Sequence, residues 1–109
     1  MRQNKPRPRD CTIVMDSKLF QRVARALADP TRFALLERIS REGEVACMTL
    51  VEEFPITQAT ISHHLKELTG AELVASRKEG KCCHFTLRRD TLDAYRAQLA
   101  ARLTGLPVQ

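Results

Sequence analysis

The chain has 109 residues, 43% of them hydrophobic and 28% charged, with a formal net charge of +5. That length supports one domain with a modest core but not two. No run of about eighteen apolar residues occurs and nothing at the start reads as an export leader, so a cytoplasmic protein with no membrane span is expected. The charge is unevenly placed. Of the 18 basic residues, Arg2, Lys5, Arg7 and Arg9 precede every acid, which leaves 14 bases against 13 acids in the remainder. Any affinity for nucleic acid must therefore come from where charges sit, not from bulk basicity.

Residues 1–10 contain Pro6, Pro8 and those four bases, with no large apolar residue between Met1 and Cys11. They are expected to be a disordered basic arm, either tracking phosphates or only solubilising the chain, and 11–109 to be the folded domain. Asp16 or Ser17 caps a first helix that runs to about Ala28, with Leu19, Phe20, Val23, Ala24 and Leu27 on its apolar face. Asp29-Pro30 then restarts the chain, with Asp29 as cap and Pro30 at the first helical position, where no amide hydrogen is needed. The second helix runs to about Arg41, burying Phe33, Leu36 and Ile39, and Gly43 ends it. Arg32 and Arg38 are expected on its solvated surface. Val45 to Met48 suits a single edge strand, and Leu50 to Phe54 a short third helix closed by the Pro55-Ile56 turn.

Thr57 opens the most informative stretch, TQATISHHLKELTGA. Its side-chain oxygen can accept from the free amides of a helical first turn, and Ile61, Leu65 and Leu68 fall on one apolar stripe. The opposite face holds Gln58, Ala59, Thr60, Ser62, His63 and Lys66. Amide, hydroxyl, imidazole and ammonium groups without an acid suit base edges and phosphate oxygens. His63 and His64 diverge by about 100° on a helix, so one shared metal ion is not expected. His63 is assigned to DNA and His64 to packing near the following hairpin, with Gly70 breaking the helix.

That hairpin is Leu73 to Glu79, a Gly80-Lys81 turn, and Cys82 to Leu87 returning. Arg77, Lys78 and Lys81 place positive charge at its tip. Helix, turn, capped helix and basic hairpin together give a mainly α fold with a small β-hairpin. This is a winged helix-turn-helix of about five helices plus a two- to three-stranded wing. Asp90 or Thr91 caps a last helix on which Leu92, Tyr95, Leu99 and Leu103 make one narrow apolar seam. A seam this narrow needs a partner. Either Leu19, Phe20 and Val23 of a second copy meet it in a homodimer, or it folds back on its own core.

Three segments now carry a family resemblance: Ala28-Asp29-Pro30-Thr31-Arg32, TQATISHHLKEL, and the Val-x-x-Arg-x-Glu-Gly-Lys hairpin. Together they resemble the ArsR/SmtB-type winged-helix repressors, from about Leu19 to Leu103. The resemblance implies a homodimeric cytoplasmic repressor that leaves its operator when a metal, metalloid or redox signal arrives. It also implies pairing of the first and last helices across a two-fold axis. Recognition helices about 34 Å apart would then read a palindromic site in double-stranded DNA.

The sensor is less clear. Metal-binding relatives carry Cys-Val-Cys-Asp-Leu in the third helix, where this chain has Ala46-Cys47-Met48-Thr49-Leu50, with Cys47 between the two ligand positions. Relatives that use the last helix bind through histidine and acid pairs, and here Asp90 and Asp93 stand without histidine. Cys82 and Cys83 remain the principal candidates for a thiol-reactive inducer, either trivalent arsenic or an oxidant acting beside Lys81 and His84. Alternation on a strand sends these two thiols to opposite faces. Small apolar filler is the competing role, and a Cys11–Cys47 pair is the lesser candidate.

No cofactor is required by this reading. The alternative is a winged-helix module without a cysteine sensor, regulated by another ligand or used for protein contacts. A thiol enzyme finds no support beyond His84 near the cysteines, so a non-enzyme is expected.

Overall fold

The computed structural model describes residues 13–104. The basic arm and Cys11 lie outside the described residues. The elements are α1 (Ser17–Ala28), α2 (Pro30–Ser40), β1 (Val45–Ala46), α3 (Cys47–Glu53), α4 (Gln58–Gly70), β2 (Val74–Glu79), β3 (Cys82–Leu87) and α5 (Arg89–Thr104). The helices start where local chemistry satisfies their free amides. Asp16 accepts from the Leu19 amide at 2.8 Å and Asp29 from that of Arg32 at 2.9 Å, with Pro30 opening α2.

One core joins the elements: Val23 of α1, Leu35 and Ile39 of α2, Leu50 of α3, Ile61 and Leu68 of α4, and Leu73 beyond it are fully buried. Phe33 departs from expectation, standing 42% exposed while Leu35, Leu36 and Ile39 form the buried stripe of α2. Two residues of helix turn the chain by roughly 200°, so a helix that buries Leu35 points Phe33 away. Arg38 is not simply solvated either. Its guanidinium donates to both carboxylate oxygens of Glu53, at 2.7 and 3.2 Å, and so ties α2 to the end of α3.

The edge strand is shorter than its apolar run. Only Val45 and Ala46 pair, and Cys47 already begins α3. Ala46 caps that helix with no side-chain hydrogen bond, so no capping residue marks the boundary. The sheet is antiparallel with order β1-β3-β2. Val45 faces Phe85 and Ala46 faces His84 on one side of β3, while Val74 to Glu79 pair with Leu87 to Cys82 on the other.

Gly70 does not break α4; it is the last helical residue and lies close against the Arg22 side chain. The left-handed residue is Glu72, at φ 61°. Its amide donates to Thr69 O at 2.9 Å and the Leu73 amide to Leu68 O at 3.0 Å, the two bonds of a Schellman ending. A side chain there costs on the order of 1 kcal/mol relative to glycine. Arg88 holds Glu72 in place at 3.1 Å.

The last helix begins at Arg89, ahead of the expected cap, and Thr91 is wholly buried inside its first turn. It lies back against α1 of the same chain. The Phe20 and Tyr95 rings are 5.0 Å apart, the Arg102 guanidinium sits 4.2 Å over Phe20, and Arg102 donates to Ser17 Oγ at 3.0 Å. Phe20 and Val23, assigned from sequence to a subunit interface, are therefore buried within the protomer. Leu19, Leu92 and Tyr95 are half-buried, and Leu99 and Leu103 remain exposed.

His64 also sits elsewhere than expected. It is buried against the start of α2 and not against the hairpin, and accepts at Nδ1 from Arg32 Nε at 3.3 Å. That bond needs an unprotonated Nδ1, hence a neutral ring carrying its hydrogen on Nε2. Burial pushes the His64 pKa below the ordinary 6.5, against the pull of Asp29 and with the push of Arg32 and His63.

Two predictions follow from this packing. Leu35→Ala should lower unfolding free energy by about 2–5 kcal/mol, and Phe33→Ala by less than about 1 kcal/mol, as urea titration would report. His64 is depressed in the folded state, so its contribution is complete above the unfolded value near 6.5 and is lost as pH falls through the lower folded value. The urea midpoint should fall between neutral pH and about pH 5, and His64→Gln should flatten that fall. An unchanged slope would place the proton uptake elsewhere.

Candidate nucleic-acid interface

The surface built by α3, α4 and the wing begins with a turn. After α3 the Phe54 residue is extended, and the Ile56 amide donates back to Phe54 O at 2.8 Å, which reverses the chain within three residues. Thr57 then opens α4: its Oγ1 accepts from the Thr60 amide at 3.1 Å and donates to Thr60 Oγ1 at 2.9 Å. Ile61, His64, Leu65 and Leu68 are buried, which turns Gln58, Ala59, Thr60, Ser62, His63 and Lys66 outward, all of them exposed. The sequence-derived face and the structural face coincide residue for residue.

The wing is a tight hairpin in which Glu79 faces Cys82 across Gly80-Lys81. Gly80 alone of these two takes positive φ, at 63°, the pattern of a II′ turn, which matches the twist of the flanking strands. Arg77, Lys78 and Lys81 are all exposed, yet they differ in freedom. Arg77 donates from Nε and Nη2 to the two oxygens of Glu44, at 3.0 and 2.8 Å, and from Nη1 to Glu79 at 3.2 Å. These carboxylates raise its already high pKa further and hold Glu44 below the ordinary carboxylate value. Its guanidinium reaches from β2 across β3 to the residue before β1, a strap and not a free phosphate contact. Lys78 and Lys81 form no ion pair among the described residues and are the free cations of the wing.

The cysteines separate by face. Cys82 is exposed, whereas Cys83 and Cys47 are half-buried. Cys83 and Phe85 share a sheet face with their cross-strand partners Lys78 and Ser76. That face opens on a groove of about 510 Å³ against α4, lined by Ser62, Leu65, Lys66, Thr69 and Gly70 on the helix side. Ser76, Cys83 and Phe85 line the sheet side, and Cys47 and Arg22 complete it. Burial first, and then the neighbouring Cys83, push the Cys47 thiol up. The structure thus gathers Cys47 with Cys83 and sets Cys82 apart from both. Sequence reasoning passed over Glu44 and Arg22; the signal for Glu44 was a lone acid beside the start of an edge strand, legible only once the strand order is known. Among the described residues no group of three or more histidine, cysteine or acidic side chains is placed to hold a metal ion. No helix among them is long and apolar enough to cross a membrane.

Comparison with known proteins gives this geometry a family. A family model described as a helix-turn-helix domain matches residues 27–77. An arsenical resistance operon repressor of Staphylococcus xylosus is 37% identical over 79 residues, 72% of this chain and 75% of that protein. Among solved structures, an ArsR-like transcriptional regulator from Rhodococcus sp. RHA1 superposes with a TM-score of 0.71 at 25% identity, covering 81% of each chain. The homodimeric winged helix-turn-helix DNA-binding domain Mb0332 of Mycobacterium bovis shares the fold, with a TM-score of 0.63 at 22% identity over 82% of this chain and 85% of that one. With the capped α4, its outward polar face and the wing already in place, the chain belongs to the ArsR family of winged helix-turn-helix, DNA-binding transcriptional repressors.

Proposed function

We propose that this chain represses transcription as a homodimer on a palindromic operator and is released by a thiol-reactive inducer, trivalent arsenic before an oxidant. The observation that carries the DNA reading is the outward face of α4: six exposed residues, Gln58 to Lys66, without one acid among them. Ser62 and His63 lie where base edges would be met. The Thr57-capped end supplies amides and a positive helix terminus to a phosphate. Lys78, on the sheet face turned to α4, and Lys81 at the wing tip would flank the site as backbone contacts.

The dimer reading draws support from the exposed Leu99 and Leu103 on α5, and from the homodimeric Mycobacterium bovis relative. The arsenical reading is supported by the Staphylococcus repressor and by the two half-buried thiols beside α4.

Fluorescence anisotropy of the reduced protein on DNA from upstream of its own gene tests this directly. Ser62→Ala/His63→Ala/Lys66→Ala should weaken specific binding at least tenfold, the scale of one lost base contact of about 1–3 kcal/mol. Lys78→Ala should weaken all sequences alike and reduce the salt slope by about one. Full binding by the triple variant would sink the assignment of α4 as the reading helix. In sedimentation, Leu99→Glu/Leu103→Glu should yield a folded monomer with much weaker operator affinity; a persistent dimer would move the interface elsewhere.

A further inference from the structure

We infer that Cys47 and Cys83 form a two-thiol clamp for a trivalent arsenic centre, seated in the groove between α4 and the wing. This rests on the reading of the chain as a repressor with a thiol-reactive inducer, and it names the site of that response. The first argument is register. Val45 pairs with Phe85 and Ala46 with His84, so continuing the antiparallel ladder by one residue brings Cys47 opposite Cys83. Directly opposed residues share a sheet face and hold their Cβ atoms about 4.5–5.5 Å apart. The electrostatic influence of Cys83 on the Cys47 thiol agrees with that closeness.

The second argument is space. A disulfide draws its Cβ atoms to about 3.5–4.5 Å, tighter than the opposed positions supply, whereas one interposed atom takes up the difference. A direct bond would also need no cavity. Here both thiols line an open groove of about 510 Å³, with the Ser62 and Ser76 hydroxyls and the Lys66 ammonium on its walls. Cys82 cannot contribute without leaving its strand face, since it is exposed on the opposite side from Cys83.

The chemistry balances without an oxidant. Arsenous acid, As(OH)₃, condenses with two thiols: two As–O bonds break, two As–S bonds form, and the thiol hydrogens leave in two waters. One hydroxyl stays on arsenic, where Ser62 or Ser76 can hydrogen-bond it. Protonated thiols serve this reaction, so the raised pKa of Cys47 is no obstacle. The centre would sit behind Ser62 and Lys66, the helix residues that also face outward, and would change how α4 rests on the sheet.

Arsenite is the probe, added to the reduced full-length chain, with bound arsenic counted after gel filtration and thiols mapped by iodoacetamide and mass spectrometry. The expected result is one arsenic per chain, protection of Cys47 and Cys83, and continued alkylation of Cys82. Cys47→Ser and Cys83→Ser should each lower affinity at least tenfold, and Cys82→Ser should not. Protection of Cys82 together with Cys83, uptake unchanged in Cys47→Ser, or a Cys47–Cys83 disulfide under peroxide with no arsenic uptake would each overturn the clamp. The mapping uses the unaltered protein, so it decides the matter even where a variant fails to fold. Operator release separates the two claims. Arsenite-driven release that persists in Cys47→Ser/Cys83→Ser keeps the repressor reading and removes the clamp. Arsenic held by Cys47 and Cys83 with no release keeps the clamp and removes the inducer reading.

Discussion

Ile61, Leu65 and Leu68 leave water almost completely when α4 docks, and each fixes the direction of the residues beside it. Burying such side chains is worth about 1.5–3 kcal/mol apiece, far more than any single exposed contact of the molecule. Because the helix is rigid, a choice made on the inner face is also made on the outer one: if Ile61 is in, Ser62 and His63 are out. The presentation of polar groups to solvent is thus a by-product of hydrophobic packing. His64 sharpens the arrangement, since its neutral ring is accepted by Arg32 at the mouth of α2 and pins the rotation of α4 about its own axis.

The sheet does the same for the wing. Two-stranded hairpins are marginal alone, and β3 escapes that limit by pairing on both edges, with β1 as well as β2. Only two residues of β1 take part, yet they tie the hairpin to the point where α3 begins. The Arg77–Glu44 strap crosses the same three strands from the outside. An exposed ion pair contributes little energy by itself, so its effect is geometric: it closes the sheet's outer face and takes one cation out of circulation.

Much of this was legible in the residues. The Asp16, Asp29-Pro30 and Thr57 caps, the stripe of α4 and the Gly80-Lys81 turn all follow from local rules, and the structure places them where those rules put them. What escaped was decided by tertiary contact. Phe33 looked like core because apolar residues crowd α2, and only the docking of Leu35 tells which side wins. The start of α3 carries no capping side chain, so nothing local separates it from the strand before it. Gly70 looked like the helix stop, but the left-handed turn fell to Glu72, whose partner Arg88 lies sixteen residues on. Phe20 and Val23 showed an apolar face without showing whose core they enter. The pairing of Cys47 with Cys83 needed the strand order, which no single segment contains.

The corner at Glu72 has a mechanical meaning. Its Schellman bonds lock the end of α4, and the Arg88 amide, donating to Leu73 O at 2.8 Å, ties the same corner to the far end of β3. Reading helix and wing are therefore two prongs of one stiff fork, with a set separation and little play. A fork of fixed gauge grips a duplex only where the groove and the neighbouring backbone have matching spacing. Groove width varies with base sequence even at positions no side chain touches. The stiffness of one irregular residue thereby turns DNA shape into part of the recognition code.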